Sequence, residues 1–160
     1  TALALAVDPP EDDLMDRPPR DSRTGIFTRR VVTLMVIGGV WSAAVNLTLF
    51  SWALQSGRSL TEAMTMTFAS LVFIEFIKAF NFRSDHRSVL RQPFANRWLN
   101  LAILWEVALL VFILSFAPLH EPFGIGPLSR TDWLITMCPA ATISPVLELA
   151  KWFVSAARSN

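Results

Sequence analysis

Two ionisable side chains sit deep inside an apolar run of this chain, Glu75 and Lys78. Charged groups in such a setting are costly and are functional candidates by default. Glu75 lies about 12 Å of helix rise from Arg83, too far for so short a side chain to reach a headgroup. It must therefore face protein, water or an ion, or carry a proton. A carboxylate so placed can coordinate a cation; the plainer role is a protonated or paired packing residue. Lys78, three residues on, shares its helical face. It can pair with Glu75, or its stem can snorkel to a surface about 8 Å away.

The other candidates are weaker. Glu106 fits a bond to a neighbouring helix, and Glu148 stands three residues before Lys151, the spacing of a helical ion pair. Asn46 and Asn100 are lone amides able to bridge helices. His86 and His120 fall in different loops, on opposite expected sides of a membrane, so they cannot share a metal. Cys138 is the single cysteine, which excludes an internal disulfide. No phosphate-binding glycine loop, nucleophile–base pair or cysteine–histidine cluster is present. No catalytic residue and no cofactor-binding residue is assigned in this chain.

The elements that position Glu75 follow from composition. Of 160 residues 52% are hydrophobic and only 17% charged, below the roughly 25% charged of soluble domains. The apolar residues come in blocks, with charges swept into the gaps. Four blocks reach the roughly 20 residues that span a bilayer, at 31–54, 63–82, 98–116 and 133–154. Backbone in hydrocarbon must satisfy its own hydrogen bonds, so each is expected to be a helix. The fold class expected is an all-α membrane protein with four transmembrane helices. With a net charge of +1 and no basic stripe, a nucleic-acid partner is not expected.

Lysine and arginine placement orients the spans. Eleven flank the expected cytosolic ends, among them Arg17, Arg20, Arg23, Arg83, Arg87 and Arg91, against Arg58 and Arg130 in the other loops. The bias puts both termini in the cytosol. Trp52, Trp98, Trp133 and Trp152 fall at span ends, where an amphipathic ring suits the headgroup level. Trp41 and Trp105 lie within spans and read as packing residues. Gly57 with Ser56 and Ser59 makes a short turn, while Pro118, Pro122, Gly124, Gly126 and Pro127 indicate a bent, non-helical connection. Gly38, Gly39, Ala43 and Ala44 allow close helix approach, and Pro139 and Pro145 should bend the fourth span. Residues 1–7 read as the end of a preceding helix, 8–30 as a polar cytosolic loop stiffened by prolines 9, 10, 18 and 19, and 155–160 as a cytosolic tail.

The linker Asp8-Pro9-Pro10-Glu11-Asp12-Asp13-Leu14-Met15-Asp16-Arg17-Pro18-Pro19-Arg20 resembles the cytosolic loop after the sixth membrane helix of type II P-type ATPases, the calcium-pump group. Thr1-Ala2-Leu3-Ala4 is similar to the end of that sixth helix. Met64-Thr65-Met66-Thr67-Phe68 and Ala79-Phe80-Asn81-Phe82-Arg83-Ser84 resemble the family's eighth helix and its exit. Asn96-Arg97-Trp98-Leu99 resembles the start of the ninth. Asp132-Trp133-Leu134 and Glu148-Leu149-Ala150-Lys151-Trp152 resemble the tenth. The likeness covers the whole chain in order.

That resemblance implies that the four spans are helices seven to ten of a ten-helix bundle. It implies that Glu75 is a cation ligand, and that Glu11, Asp13 and Asp16 belong to a coupling loop. It implies as partners the lipid bilayer, the upstream transmembrane helices, the cytosolic phosphorylation domain and the transported cation. It also implies ATP and Mg2+ for the full-length pump, with the phosphorylated Asp-Lys-Thr-Gly segment, the nucleotide site and further ion ligands upstream of Thr1. The glycine-bearing first span resembles a helix that packs on the fifth. Lys78 departs from the calcium-pump pattern; an ammonium one turn from Glu75 repels a divalent ion, so it is expected to modulate the site and leave one transported ion per cycle. The expected membrane is a bacterial plasma membrane. The alternatives are a free-standing four-helix protein that regulates a pump or transporter, and a small secondary transporter with Glu75 as proton carrier.

Overall fold

The computed structural model describes residues 27–82 and 96–156, with side chains through 154. Glu11, Asp13 and Asp16, the helix end expected at 1–7, the loop arginines at 83, 87 and 91, and most of the tail lie outside the described residues. Among the described residues all regular structure is helical: α1 (Arg29–Gln55), α2 (Leu60–Asn81), α3 (Arg97–Ser115), a 3-10 turn (Ala117–Leu119), α4 (His120–Phe123), α5 (Arg130–Ala141) and α6 (Ile143–Ala156). Four stretches are long and apolar enough to cross a membrane: α1, α2, α3 and the α5–α6 pair.

Each span starts one to three residues before its apolar run because a polar side chain caps it. Thr28 Oγ1 accepts from Val31 N–H, and Asn96 Oδ1 accepts from Leu99 N–H at 2.9 Å. Ser59 with Glu62 and Ser129 with Asp132 form reciprocal capping boxes. These bonds satisfy N–H groups that the first helical turn leaves unpaired. Gly57, at φ 80°, closes the short turn between α1 and α2.

The bend expected of the fourth span is a break. α5 runs through Pro139 and stops at Thr142, whose N–H bonds Pro139 O at 3.1 Å; Pro145 has no N–H to give to Ala141 O, so the helical ladder is interrupted there. Pro145 is the third residue of α6, where a missing N–H costs nothing. Thr142 Oγ1 accepts from Trp41 Nε1 at 2.9 Å and donates to Pro139 O, so α1 holds the break.

The connection between α3 and α5 is more helical than its composition suggests. Pro118 and Pro122 occupy first-turn positions of short helical segments, which proline tolerates. Gly124, at φ 60°, ends α4 in a left-handed cap. The loop then folds onto α2: Gly126 N–H donates to the buried Thr65 Oγ1 at 2.8 Å. A Cβ on Gly126 would lie 2.8 Å from Glu62 N, so only glycine fits this approach.

Packing centres on α2. One buried cluster joins Leu49 and Ala53 of α1 to Ala63 and Met66 of α2, with Ile135 of α5 against it. A second joins Ile74 to Ala140, Ile143 and Leu147, with Val45 against it. A third brings Ala69 to Leu110 and Leu114 of α3, with Trp133 alongside. α3 also buries Leu99 near its start, while Trp98, Leu101, Leu104 and Phe112 face outward. Trp105 is 69% exposed and does not pack within the described helices.

Candidate functional site

Glu75 and Lys78 occupy the half of α2 that approaches its C-terminal end. The Lys78 ammonium lies 2.6 Å from Glu75 Oε1, an i,i+3 ion pair. The two partners are placed differently. Lys78 is only 15% exposed, whereas the Glu75 side chain is 57% exposed, turned away from the buried α2 face that carries Ile74. Gly38 of α1 lies against the lysine stem: a Cβ there would stand 3.9 Å from Lys78 Cδ, 3.7 Å from Phe82 and 3.4 Å from Leu147, all ordinary contact distances.

A carboxylate facing outward, inside a span, cannot face hydrocarbon as a bare anion. Lys78 neutralises one oxygen and leaves the other side of the carboxylate open. Among the described residues no three His, Cys, Asp or Glu side chains converge, so any ion held by Glu75 needs further ligands from outside them.

The same side of the molecule carries a second pair. Lys151 is buried, donates to Asn81 O at 2.7 Å and pairs with Glu148 at 3.2 Å, the partner its spacing indicates. The bond to Asn81 O caps a carbonyl at the end of α2, tying α6 to the helix that carries Glu75. The opposite end has its own clasp, in which Arg58 Nε donates to Asp132 Oδ1 at 2.9 Å and Nη2 donates to the same oxygen. This bridge joins the α1–α2 turn to the start of α5. In the sequence Asp132 stands out only within the stretch that resembles the tenth helix, because its cross-chain partner is 74 residues away.

On α1, Gly39, Ala43 and Ala44 lie on an open face, and nothing stands within 4 Å of where a Gly39 Cβ would be. Among the described residues His120 joins no cluster of three candidate ligands; its Nε2 lies 3.1 Å from Leu114 O.

Four apolar spans, one of them broken, with an ion pair well inside the second, define a helical integral-membrane segment. The chain belongs to the family described as "Cation transporting ATPase, C-terminus", whose model matches residues 1–153. It is 30% identical over 137 residues to a "Calcium-transporting ATPase" of Bacillus subtilis (strain 168), covering 85% of this chain and 15% of that protein. It is 34% identical over 154 residues to a "Probable cation-transporting ATPase F" of Mycobacterium tuberculosis (strain ATCC 25618 / H37Rv), covering 91% of this chain and 16% of the relative. A "Calcium-transporting ATPase type 2C member 1" of Homo sapiens is 26% identical over 151 residues, covering 94% and 16%. The chain therefore spans 15–16% of the length of these relatives.

Proposed function

We propose that the chain is the carboxy-terminal membrane segment of an ATP-driven cation pump of the calcium-transporting type. In this reading α1, α3, α5 and α6 are support helices, and α2 presents Glu75 to the transported ion. The observation that carries it is the outward carboxylate within a span of a cation-transporting ATPase family member. Burying that carboxylate against hydrocarbon is prohibitively costly, so its face is covered by the pump's upstream helices and the ion they share. The open face of Gly39 and Ala43 supplies a close-approach surface for one of those helices. ATP and Mg2+ are bound by parts of the pump outside this chain, which contributes no residue to them. The loop with Glu11, Asp13 and Asp16 couples the phosphorylation domain to the membrane, and the membrane is a bacterial plasma membrane with both chain ends cytosolic.

Lys78 sets the number of ions in this reading. Its ammonium takes the place of cationic charge beside Glu75, leaving one transported ion per cycle.

The test has two parts. An immunoblot of native membranes against the 157–160 tail should give a band several times larger than 17.9 kDa; a band of the chain's own size rejects the reading and favours a separate regulatory subunit. In the full-length protein, Glu75→Gln should weaken calcium-dependent ATP hydrolysis, and Lys78→Ala should raise the ratio of ions moved to ATP hydrolysed. Unchanged calcium affinity in the first variant removes Glu75 from the site. An unchanged ratio in the second removes Lys78 from control of stoichiometry.

A further inference from the structure

Three buried oxygen atoms in the middle of the bundle lack a hydrogen-bond partner among the described residues: Asn46 Oδ1, Ser70 Oγ and Thr136 Oγ1. Each comes from a different helix, α1, α2 and α5 respectively. Ser70 and Thr136 are 0% exposed and Asn46 is 8% exposed.

Helical register puts the three at one level. Ser70 lies one turn from Met66 on one side and one turn from Ile74 on the other, hence between the first and second apolar clusters. Thr136 follows Ile135, which packs on the first cluster, and lies one turn before Ala140 of the second. Asn46 follows Val45, which packs on the second cluster, and lies one turn before Leu49 of the first. The bundle is therefore layered apolar, polar, apolar along its axis.

The hydroxyls behave unlike others in these helices. Ser42, Thr65 and Thr67 each donate back to the carbonyl four residues earlier, at 2.6–2.8 Å. Ser70 and Thr136 make no such bond. Asn46 spends an N–H on Ser42 O but leaves its carbonyl oxygen over. Buried polar atoms are ordinarily satisfied by protein or by ordered water, and a buried water takes two to four such partners.

We infer that Asn46, Ser70 and Thr136 form a buried hydration site that pins α1 and α5 to α2 at mid-membrane. Water fits this site better than a cation. All three groups are neutral, the layers above and below are apolar, and Glu75 projects from the outward face of α2, away from Ile74. A cation there would be buried without a counter-charge. Water can accept from both hydroxyls and donate to the amide oxygen. In a bilayer the apolar layers alone discriminate little between helix and lipid, so this polar layer sets the register of α2 five residues ahead of Glu75.

Pulsed X-ray footprinting of the full-length protein in its native membrane tests the site directly. A pulse converts bound water in place to hydroxyl radical, which oxidises the nearest susceptible side chain. Met66, one turn from Ser70 and fully buried, is that reporter. Met66 should be oxidised in the parent, and the oxidation should be lost in Asn46→Leu/Ser70→Ala/Thr136→Val. The single variant Ser70→Ala removes one oxygen with little change of shape and should reduce the signal should the triple variant fail to assemble. A silent Met66 in the parent overturns the site, as does oxidation equal in parent and variants. Melting supplies a second arm: Ser70→Ala and Thr136→Val should together lower Tm by less than the sum of their separate losses, because they share one partner. Additive losses overturn the shared site. Neither readout depends on ion transport, so this inference can fail while the pump reading stands.

Discussion

Gly126→Ala isolates the seating of the loop between α3 and α5 on the start of α2. The new Cβ would lie 2.8 Å from Glu62 N, 2.9 Å from Glu62 Cα and 3.0 Å from Glu62 Cγ. Two of those atoms are backbone in a capped first turn, so the loop must move rather than α2. Overpacking of this kind costs about 1–3 kcal/mol. Moving the loop also stretches the buried bond from Gly126 N–H to Thr65 Oγ1, which adds about 0.5–1.5 kcal/mol. The combined loss of about 1.5–4.5 kcal/mol corresponds to a Tm lower by ~3–18 °C for a chain of this size. Thermal unfolding in lipid nanodiscs measures it. Two comparisons sharpen the result. Thr65→Val keeps the shape but leaves the Gly126 N–H buried without its acceptor, a loss of about 1–3 kcal/mol. Gly39→Ala meets no atom of this chain, so in the isolated chain it should be neutral or stabilising by up to about 1 kcal/mol, whereas in the full-length pump the helix packed on this face should make it destabilising. If Gly126→Ala melts with the parent, the loop is not seated on α2 and the reasoning fails.

Three further perturbations probe the clasps that hold α2. Asp132→Ala removes both the capping box and the partner of Arg58, so it should destabilise by about 1–3 kcal/mol in the same assay; Ser129→Ala, losing only the cap, should cost less. Trp41→Phe keeps the aromatic ring but deletes the donor to Thr142; a loss of about 0.5–1.5 kcal/mol is expected, and hydrogen exchange should rise at the break between α5 and α6. Lys151→Met removes the donor to Asn81 O and leaves Glu148 without this cation. Exchange of backbone amides at the C-terminal end of α2 should then rise, while those at its N-terminal end stay unchanged.

The spans were legible because a bilayer imposes a length and a composition that local sequence displays without help from the fold. Their starts could be read within three residues, and the missing residues were helix caps: Ser59 with Glu62, and Ser129 with Asp132, both carry the three-residue spacing of a capping box. Glu75, Lys78, Glu148 and Lys151 were likewise readable, since ion pairs at i,i+3 are a property of one helix. The likeness to cation pumps was legible in the loop motifs, and the family match covers the same stretch.

What local pattern leaves open is which face of each helix meets which neighbour. Glu75 and Lys78 share a face by spacing, yet Gly38 on another helix shelters the lysine stem while the carboxylate turns outward. Trp105 reads like Trp41 in sequence, but among the described residues Trp105 stays exposed while Trp41 bonds Thr142, because the break at Thr142 lies opposite it. The Arg58–Asp132 bridge, the seat of Gly126 on Thr65 and the layer of Asn46, Ser70 and Thr136 all join segments far apart in the chain. Their existence depends on helix rotation and register, which are set by packing several apolar faces at once. The sequence by itself determined that this chain crosses a membrane and carries a charged pair within one span. The tertiary structure alone decided which of those charges is sheltered and which is presented.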